Sequence, residues 1–149
     1  MTNLSTRRKL VLAALAADAA NAQFAPVQVQ KLFFLLDRNI ADEMGGEQFA
    51  FEPYDFGPFD REVYSELEAL ARKGLLDIRE AGPRPGDRRY SLTRAGYDLG
   101  QKCLLRIPPR GARYMKKAAT WVRSLNFAEL VGSIYKQYPE MRAKSVFRS

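Results

Sequence analysis

Between residues 60 and 105 the apolar pattern changes period twice in a short space, and few folds can accommodate that order. DREVYSELEALARKG puts Val63, Leu67, Leu70 and Ala71 at helical spacing, with Asp60 or the residue before it as its cap and Gly74 as its stop. Two short strands are expected next, around Leu76 to Arg79 and Arg89 to Leu92. Between them lies AGPRPGDR, whose prolines and glycines require a turn. Thr93 then starts a helix through about Leu105. A hairpin held between two helices must bury one face against further helices. The rest of the chain supplies them, so the expected class is mostly α (α+β) with a small antiparallel sheet of two or three strands.

The other segments fit that frame. From Pro26, VQVQKLFFLLDRNIADEM reads as a helix ending at Gly45-Gly46, with Val29, Leu32, Phe33, Leu36 and Ile40 in one stripe. Residues 51–60, FEPYDFGPFD, cannot lie inside a helix, because Pro53 and Pro58 remove backbone donors. This stretch reads as a packed connection in which Phe51, Tyr54, Phe56 and Phe59 pin a strand to the preceding helix. Pro58 would form the turn before the next helix, and Gly57 would supply an unusual backbone angle. Pro108-Pro109 leads into RGARYMKKAATWVRSL, with an apolar side of Tyr114, Ala118, Trp121, Val122 and Leu125. Asn126-Phe-Ala-Glu129 is a capping box for a last helix that stops before Pro139. The tail MRAKSVFRS carries no expected regular structure.

The N-terminal RRKLVLAALAADAANAQ has the outline of a secretory leader, a basic start and a short apolar run before Ala-Asn-Ala. That run is alanine-rich and closed by Asp18, while Leu4, Val11, Leu15 and Ala19 recur near helical spacing. A folded first helix, capped by Ser5 or Thr6, is the expectation. No apolar run approaches the ~20 residues that span a bilayer. These readings give one domain over residues 1–149, located in the cytoplasm with no membrane partner. Residue pattern does not fix the oligomeric state; a homodimer is possible, but no heptad pattern marks a coiled coil.

Composition removes several kinds of chemistry. There is no histidine, which excludes Ser-His-Asp and Cys-His catalysis and nearly every zinc site. A single cysteine, Cys103, allows no internal disulfide. Glu52, Asp55 and Asp60 have no Asp…Glu-x-Lys arrangement beside them, and the glycines lack phosphate-loop spacing. The expectation is a protein that is not an enzyme and takes no cofactor or metal. The net charge of +7 is unevenly spread: residues 1–70 hold 6 basic and 11 acidic side chains, and residues 71–149 hold 18 and 6. Such a two-sided chain points to an acidic partner, nucleic acid first.

Helix, strand, charged loop and strand form the second half of a winged helix. LEALARKGLLDIRE…GDRRYSLTRAG resembles the wing region of the MarR and PadR regulators, where the helix before Gly-Leu-Leu is the recognition helix and the hairpin is the wing. VQKLFFLLDRNI, FEPYDFGPFDREVYSELEALARKGLL and YSLTRAG together resemble the YwgA-type winged-helix family and, more distantly, the SocA or Panacea-type antitoxins. The shared features are a Leu-Gln-Lys-Leu-like core helix, an aromatic strand into Tyr-Gly-Pro-Phe, and a helix of the form Leu-Glu-x-Leu-x-x-x-Gly-Leu. Here Val29-Gln30-Lys31-Leu32 and Phe56-Gly57-Pro58-Phe59 stand in the first two places. The resemblance spans roughly residues 27 to 98. It implies a winged helix-turn-helix, here with additional N- and C-terminal helices, encoded near toxins, phage-defence genes or mobile elements.

Two functions follow as expectations. The first is a transcription regulator or antitoxin-like factor that contacts the DNA backbone. Its candidate residues are Arg84, Arg88 and Arg89 on the wing, Arg94 beyond it, and Arg110, Arg113, Lys116 and Lys117 on the later helix. At 100° per residue those last four fall within an arc of about 120°. The second is a protein–protein interaction module, an antitoxin or a subunit of a phage-defence complex with a co-encoded partner. Its candidate surface is Arg61, Glu62, Ser65 and Glu66, or alternatively the basic later helix. That second reading rests on the acidity of the presumed recognition helix, where Asp60, Glu62, Glu66 and Glu68 face Arg61, Arg72 and Lys73.

Overall fold

The computed structural model describes residues 4–147, which form six α-helices and two separate antiparallel hairpins. The first helix, α1 (Thr6–Ala16), starts at Ser5, whose Oγ accepts the Arg8 N–H at 3.2 Å. Six consecutive residues, Val11 to Ala16, are buried, so the second half of α1 is enclosed on all sides rather than along one stripe. Alanines allow this close packing. The helix ends before Ala19, which lies in the turn beyond it.

The second helix, α2 (Pro26–Asn39), is the centre of the molecule, with every residue from Val29 to Asp37 buried. It stops five residues earlier than the sequence suggests. The chain turns at Ile40, and a short 3-10 turn, Asp42–Met44, completes the run to Gly45. The Asn39 side chain fixes this end, donating to the Leu35 carbonyl at 2.9 Å and to the Tyr114 hydroxyl at 2.9 Å.

The aromatic decapeptide is a hairpin of its own: β1 (Glu52–Tyr54) pairs with β2 (Gly57–Phe59). Pro53 and Pro58 sit opposite each other in the register. Neither can donate, so they occupy the pair that exchanges no ladder bonds, and the flanking pairs carry them. Gly57 has φ +102°, as its place after the two-residue turn requires. Two expectations change here. Pro58 lies within a strand instead of a turn, and Tyr54 and Phe56 are half exposed, at 51% and 41%. Phe51 does pin the segment to α2, meeting Phe34 edge-on at 5.6 Å.

Helix α3 (Arg61–Arg72) begins at Asp60, whose Oδ1 accepts the Glu62 N–H at 2.9 Å. It buries Val63, Leu67 and Leu70 and leads through Gly74 into β3 (Leu76–Glu80). A 3-10 turn, Pro85–Asp87, returns the chain as β4 (Arg88–Leu92), in register from Leu76↔Leu92 to Glu80↔Arg88. Phe24, just before α2, adds one rung on the other edge: its N–H and carbonyl bond Tyr90 at 2.8 and 2.9 Å. Helix α4 (Arg94–Leu104) is capped by Thr93 Oγ1, which accepts the Gly96 N–H at 3.0 Å. It lies against α1, and the Gln101 side-chain amide donates to the Ala16 carbonyl at 2.6 Å, closing that helix.

Helix α5 (Pro109–Ser124) packs along α2. Its buried residues are Gly111, Met115, Ala118, Ala119 and Val122, so the inward face is turned from the expected one and Tyr114 and Trp121 form its half-buried edges. Helix α6 (Phe127–Gln137) has the expected capping box, with Asn126 and Glu129 bonding each other's backbone N–H at 2.8 and 2.9 Å. The tail is more ordered than its sequence suggests. It forms a 3-10 turn, Pro139–Arg142, and then docks on the β1–β2 hairpin, where the Val146 N–H donates to the Asp55 carbonyl at 2.9 Å.

Candidate nucleic-acid interface and the cavity beside it

The acidity of α3 is largely satisfied within the molecule. Glu66, expected on an open face, is 4% exposed and lies under the first turn of α1. Arg8 Nε donates to its Oε1 at 2.7 Å, Arg7 Nε donates to its Oε2, and Arg7 also reaches Glu62 at 2.8 Å. Burial pushes the Glu66 carboxyl up, but the hydrogen bonds and charges of Arg7 and Arg8 outweigh it and hold the group below its ordinary value. Glu66 is therefore an internal counter-ion rather than a partner-binding residue. Ala69, beside it, is buried as well. The face of α3 left to solvent is different. Arg61, Ser65, Glu68 and Arg72 fall within an arc of about 60°. Ser65 is half-buried and the other three are exposed, so one carboxylate stands among two guanidiniums.

The β3–β4 hairpin holds its arginines unequally. The Arg84 side chain is 85% exposed on the turn, 3.7 Å from Asp87. Arg88 is paired with Glu80 across the strands at 2.7 Å. Arg89 folds back on its own turn, donating to the carbonyls of Gly86 and Arg88 at 2.9 and 2.8 Å. Arg94, in the first turn of α4, is exposed and 3.2 Å from Asp98. Of the three candidate arginines on the hairpin, Arg84 is the most exposed and the least tightly held.

The basic residues of α5 lie elsewhere. Arg110, Arg113 and Lys117 surround a shallow hollow with Asn39 and Ile40, at the C-terminal end of α2, and Arg110 is 3.6 Å from Glu43. Arg113, Lys116 and Lys117 are exposed, and among the described residues none has a carboxylate within 4 Å. Arg84 and Arg88 stand near Pro26 and Val27, at the other end of α2. With 14 residues rising ~1.5 Å each, α2 separates the two basic groups by about 20 Å. The sequence groups them by charge; the fold sets them apart.

Between the β3–β4 hairpin and α3 lies a cavity of about 550 Å³, closed by the first turns of α2, the β1–β2 hairpin and Phe127. Six aromatic side chains line it, among prolines and charged residues. Tyr54 stacks on Phe59 at 4.9 Å, Phe56 meets Phe127 edge-on at 5.1 Å, and Tyr64 lies parallel to Tyr90 at 6.3 Å. Lys31 also lines it, although it is only 2% exposed. Its ammonium has one acceptor, the Pro58 carbonyl at 3.5 Å, the outer limit of a hydrogen bond. Burial pulls its pKa down to about 7. Gln30, its neighbour, is also buried and bonds both the N–H and the carbonyl of Asp60 at 3.0 Å. That clamp fixes the residue that caps α3. Asp37 does similar work two turns later, accepting the N–H groups of Gln48 and Phe49, both at 2.9 Å.

Sequence reasoning assigned no role to Gln30 or Lys31, although a signal was present. A helix apolar around most of its girth has no solvent face, so an adjacent polar pair within it must find internal partners or an internal space. Among the described residues no cluster of three metal-ligating side chains occurs, and no helix is long and apolar enough to cross a membrane. Comparisons with family models, with curated proteins and with solved structures find no match for the chain.

Proposed function

We propose that the chain is a winged-helix DNA-binding protein, with α3 as the recognition helix and the β3–β4 hairpin as the wing. The observation that carries this reading is the pairing of Phe24 with Tyr90. It gives the order helix, strand position, helix, helix, strand, strand, with the first strand position on the edge of the last, as a winged helix requires. The departure is residues 40–60, which insert a hairpin between α2 and α3. Neutralisation of Glu62 and Glu66 by Arg7 and Arg8 supports the reading, since it leaves Arg61 and Arg72 as the dominant charges on the open face of α3. Arginine suits both guanine edges and phosphates, and Arg84 on the wing suits a phosphate. A regulator, or an antitoxin that also binds its own promoter, would use this surface.

A second reading has its own support. The unpaired Arg113, Lys116 and Lys117 lie about the length of α2 from the wing and suit the acidic surface of a protein partner. Fluorescence anisotropy of labelled duplex DNA tests the choice. Arg61→Glu/Arg72→Glu should abolish salt-sensitive binding, and Arg113→Glu/Lys117→Glu should leave most of it. The reverse result would move the interface to α5, and no binding by the wild type at low salt would leave the protein-docking reading.

A further inference from the structure

We infer that Lys31 is a covalent attachment site for small apolar aldehydes, which enter the cavity between the β3–β4 hairpin, α3 and the β1–β2 hairpin and form an imine with its side-chain amine. Every other lysine of the chain is exposed, whereas Lys31 is 2% exposed and lines that cavity. Its Nζ has a single polar neighbour, the Pro58 carbonyl at 3.5 Å. Gly57 lies beside the amine: a Cβ there would stand 3.4 Å from Nζ, so any larger side chain would cover it. The space in front of the amine is preformed and, at about 550 Å³, within the range of sites that enclose small organic ligands. Pro58, Pro83, Pro85 and the aromatic pairs give a hydrocarbon chain apolar surface to bury.

No anion on the cavity wall holds the amine in its charged form. Asp55, Glu68 and Glu80 are the carboxylates there; Glu80 is taken by Arg88 at 2.7 Å, and none of the three lies within 4 Å of Nζ. Burial pushes the Tyr64 phenol up to about 12 and raises that of Tyr90, so both are neutral, and Arg84 and Arg88 add only positive charge. Loss of hydration brings Lys31 down to about 7. Close to half of it is then free amine at neutral pH, against less than about one part in a thousand of an exposed lysine. A desolvated, neutral lysine is a nucleophile toward carbonyl carbon. The Nζ lone pair forms the C–N bond, the two amine protons pass to the former carbonyl oxygen, and that oxygen leaves as water, with C=N remaining. The step needs no oxidant, reductant or third reactant, and it reverses by hydrolysis when the aldehyde is withdrawn.

The test is reductive trapping of the full chain at pH 7 with less than one equivalent of hexanal. Sodium cyanoborohydride converts any imine to a stable hexyl amine, and peptide mass spectrometry locates it. Lys31 should be modified at least about tenfold more than any exposed lysine or the N-terminal amine, a part of its advantage in free amine. In concentrated urea that preference should vanish, because the unfolded chain has no cavity. Lys31→Met keeps the length and apolar stem of the side chain; it should take up only the surface background while retaining the thermal unfolding transition. Labelling that follows exposure, a preference that survives urea, or undiminished uptake by a folded Lys31→Met would each overturn the assignment. The map of modified sites in the wild type decides the point even if the variant does not fold. No DNA takes part, so the result is separate from that of the duplex-binding assay.

Discussion

Lys31 and Glu66 are both buried ionisable groups, and their environments oppose each other. Glu66 has two arginines; Lys31 has one distant carbonyl. Lys31→Met should therefore stabilise the chain, by on the order of 2–4 kcal/mol at pH 7, in urea denaturation. The pH dependence has a definite sign. The folded pKa of about 7 lies below the ordinary 10.5, so between them the unfolded chain binds more protons. Wild-type stability then rises with pH through that window, and the advantage of Lys31→Met should shrink from pH 7 toward pH 10. Glu66 has the same sign of pH dependence in a lower window, but there the charged form stabilises the fold. Its folded pKa is depressed, so its contribution is present above 4.5 and is lost as pH falls further. Glu66→Ala leaves the half-buried Arg8 guanidinium without its carboxylate and Arg7 with Glu62 alone, and should cost about 1–3 kcal/mol in the same measurement.

At the scale of elements, two glycines of α4 set how closely it approaches its neighbours. A Cβ on Gly96 would fall 1.9 Å from the Leu75 carbonyl oxygen, and one on Gly100 would fall 2.7 Å from that of Leu12. Both obstacles are backbone, which cannot step aside as a side chain can. Gly96→Ala must displace the start of α4 from the end of α3, and its loss of stability should exceed about 3 kcal/mol in thermal or chemical unfolding. None of this is visible in the sequence, where both glycines are simply tolerated within an amphipathic helix. What was legible were features with a local cause. The Asp60, Thr93 and Asn126 caps follow from side chains bonding their own helix starts, and the β3–β4 hairpin follows from its period and turn. What was not legible depends on distant contacts. The burial of Glu66 needs α1 to lie across α3, the rotation of α5 needs α2 packed along it, and the cavity needs α2, α3, both hairpins and Phe127 brought together.

For the whole molecule, net charge is a poor guide to binding until internal pairing is removed. Within the acidic first half Arg7 and Arg8 neutralise Glu62 and Glu66, while Asp18 takes Arg123 of the basic half. Two positive regions stand at opposite ends of α2, and a rigid duplex lying on the face formed by α3 and the β3–β4 hairpin would meet only one of them. Arg61, Arg72, Lys73 and Arg84 are exposed on that side. If each neutralises one phosphate, the logarithm of the association constant should fall with the logarithm of salt at a slope of about −3.6. Arg84→Gln should flatten the slope by about one unit, because one counterion fewer is released, whatever the sequence of the duplex. Arg113→Gln/Lys117→Gln should leave the slope where it was. A slope insensitive to Arg84 but flattened by the α5 pair would place the duplex at the far end of α2 and return the wing to a purely structural hairpin.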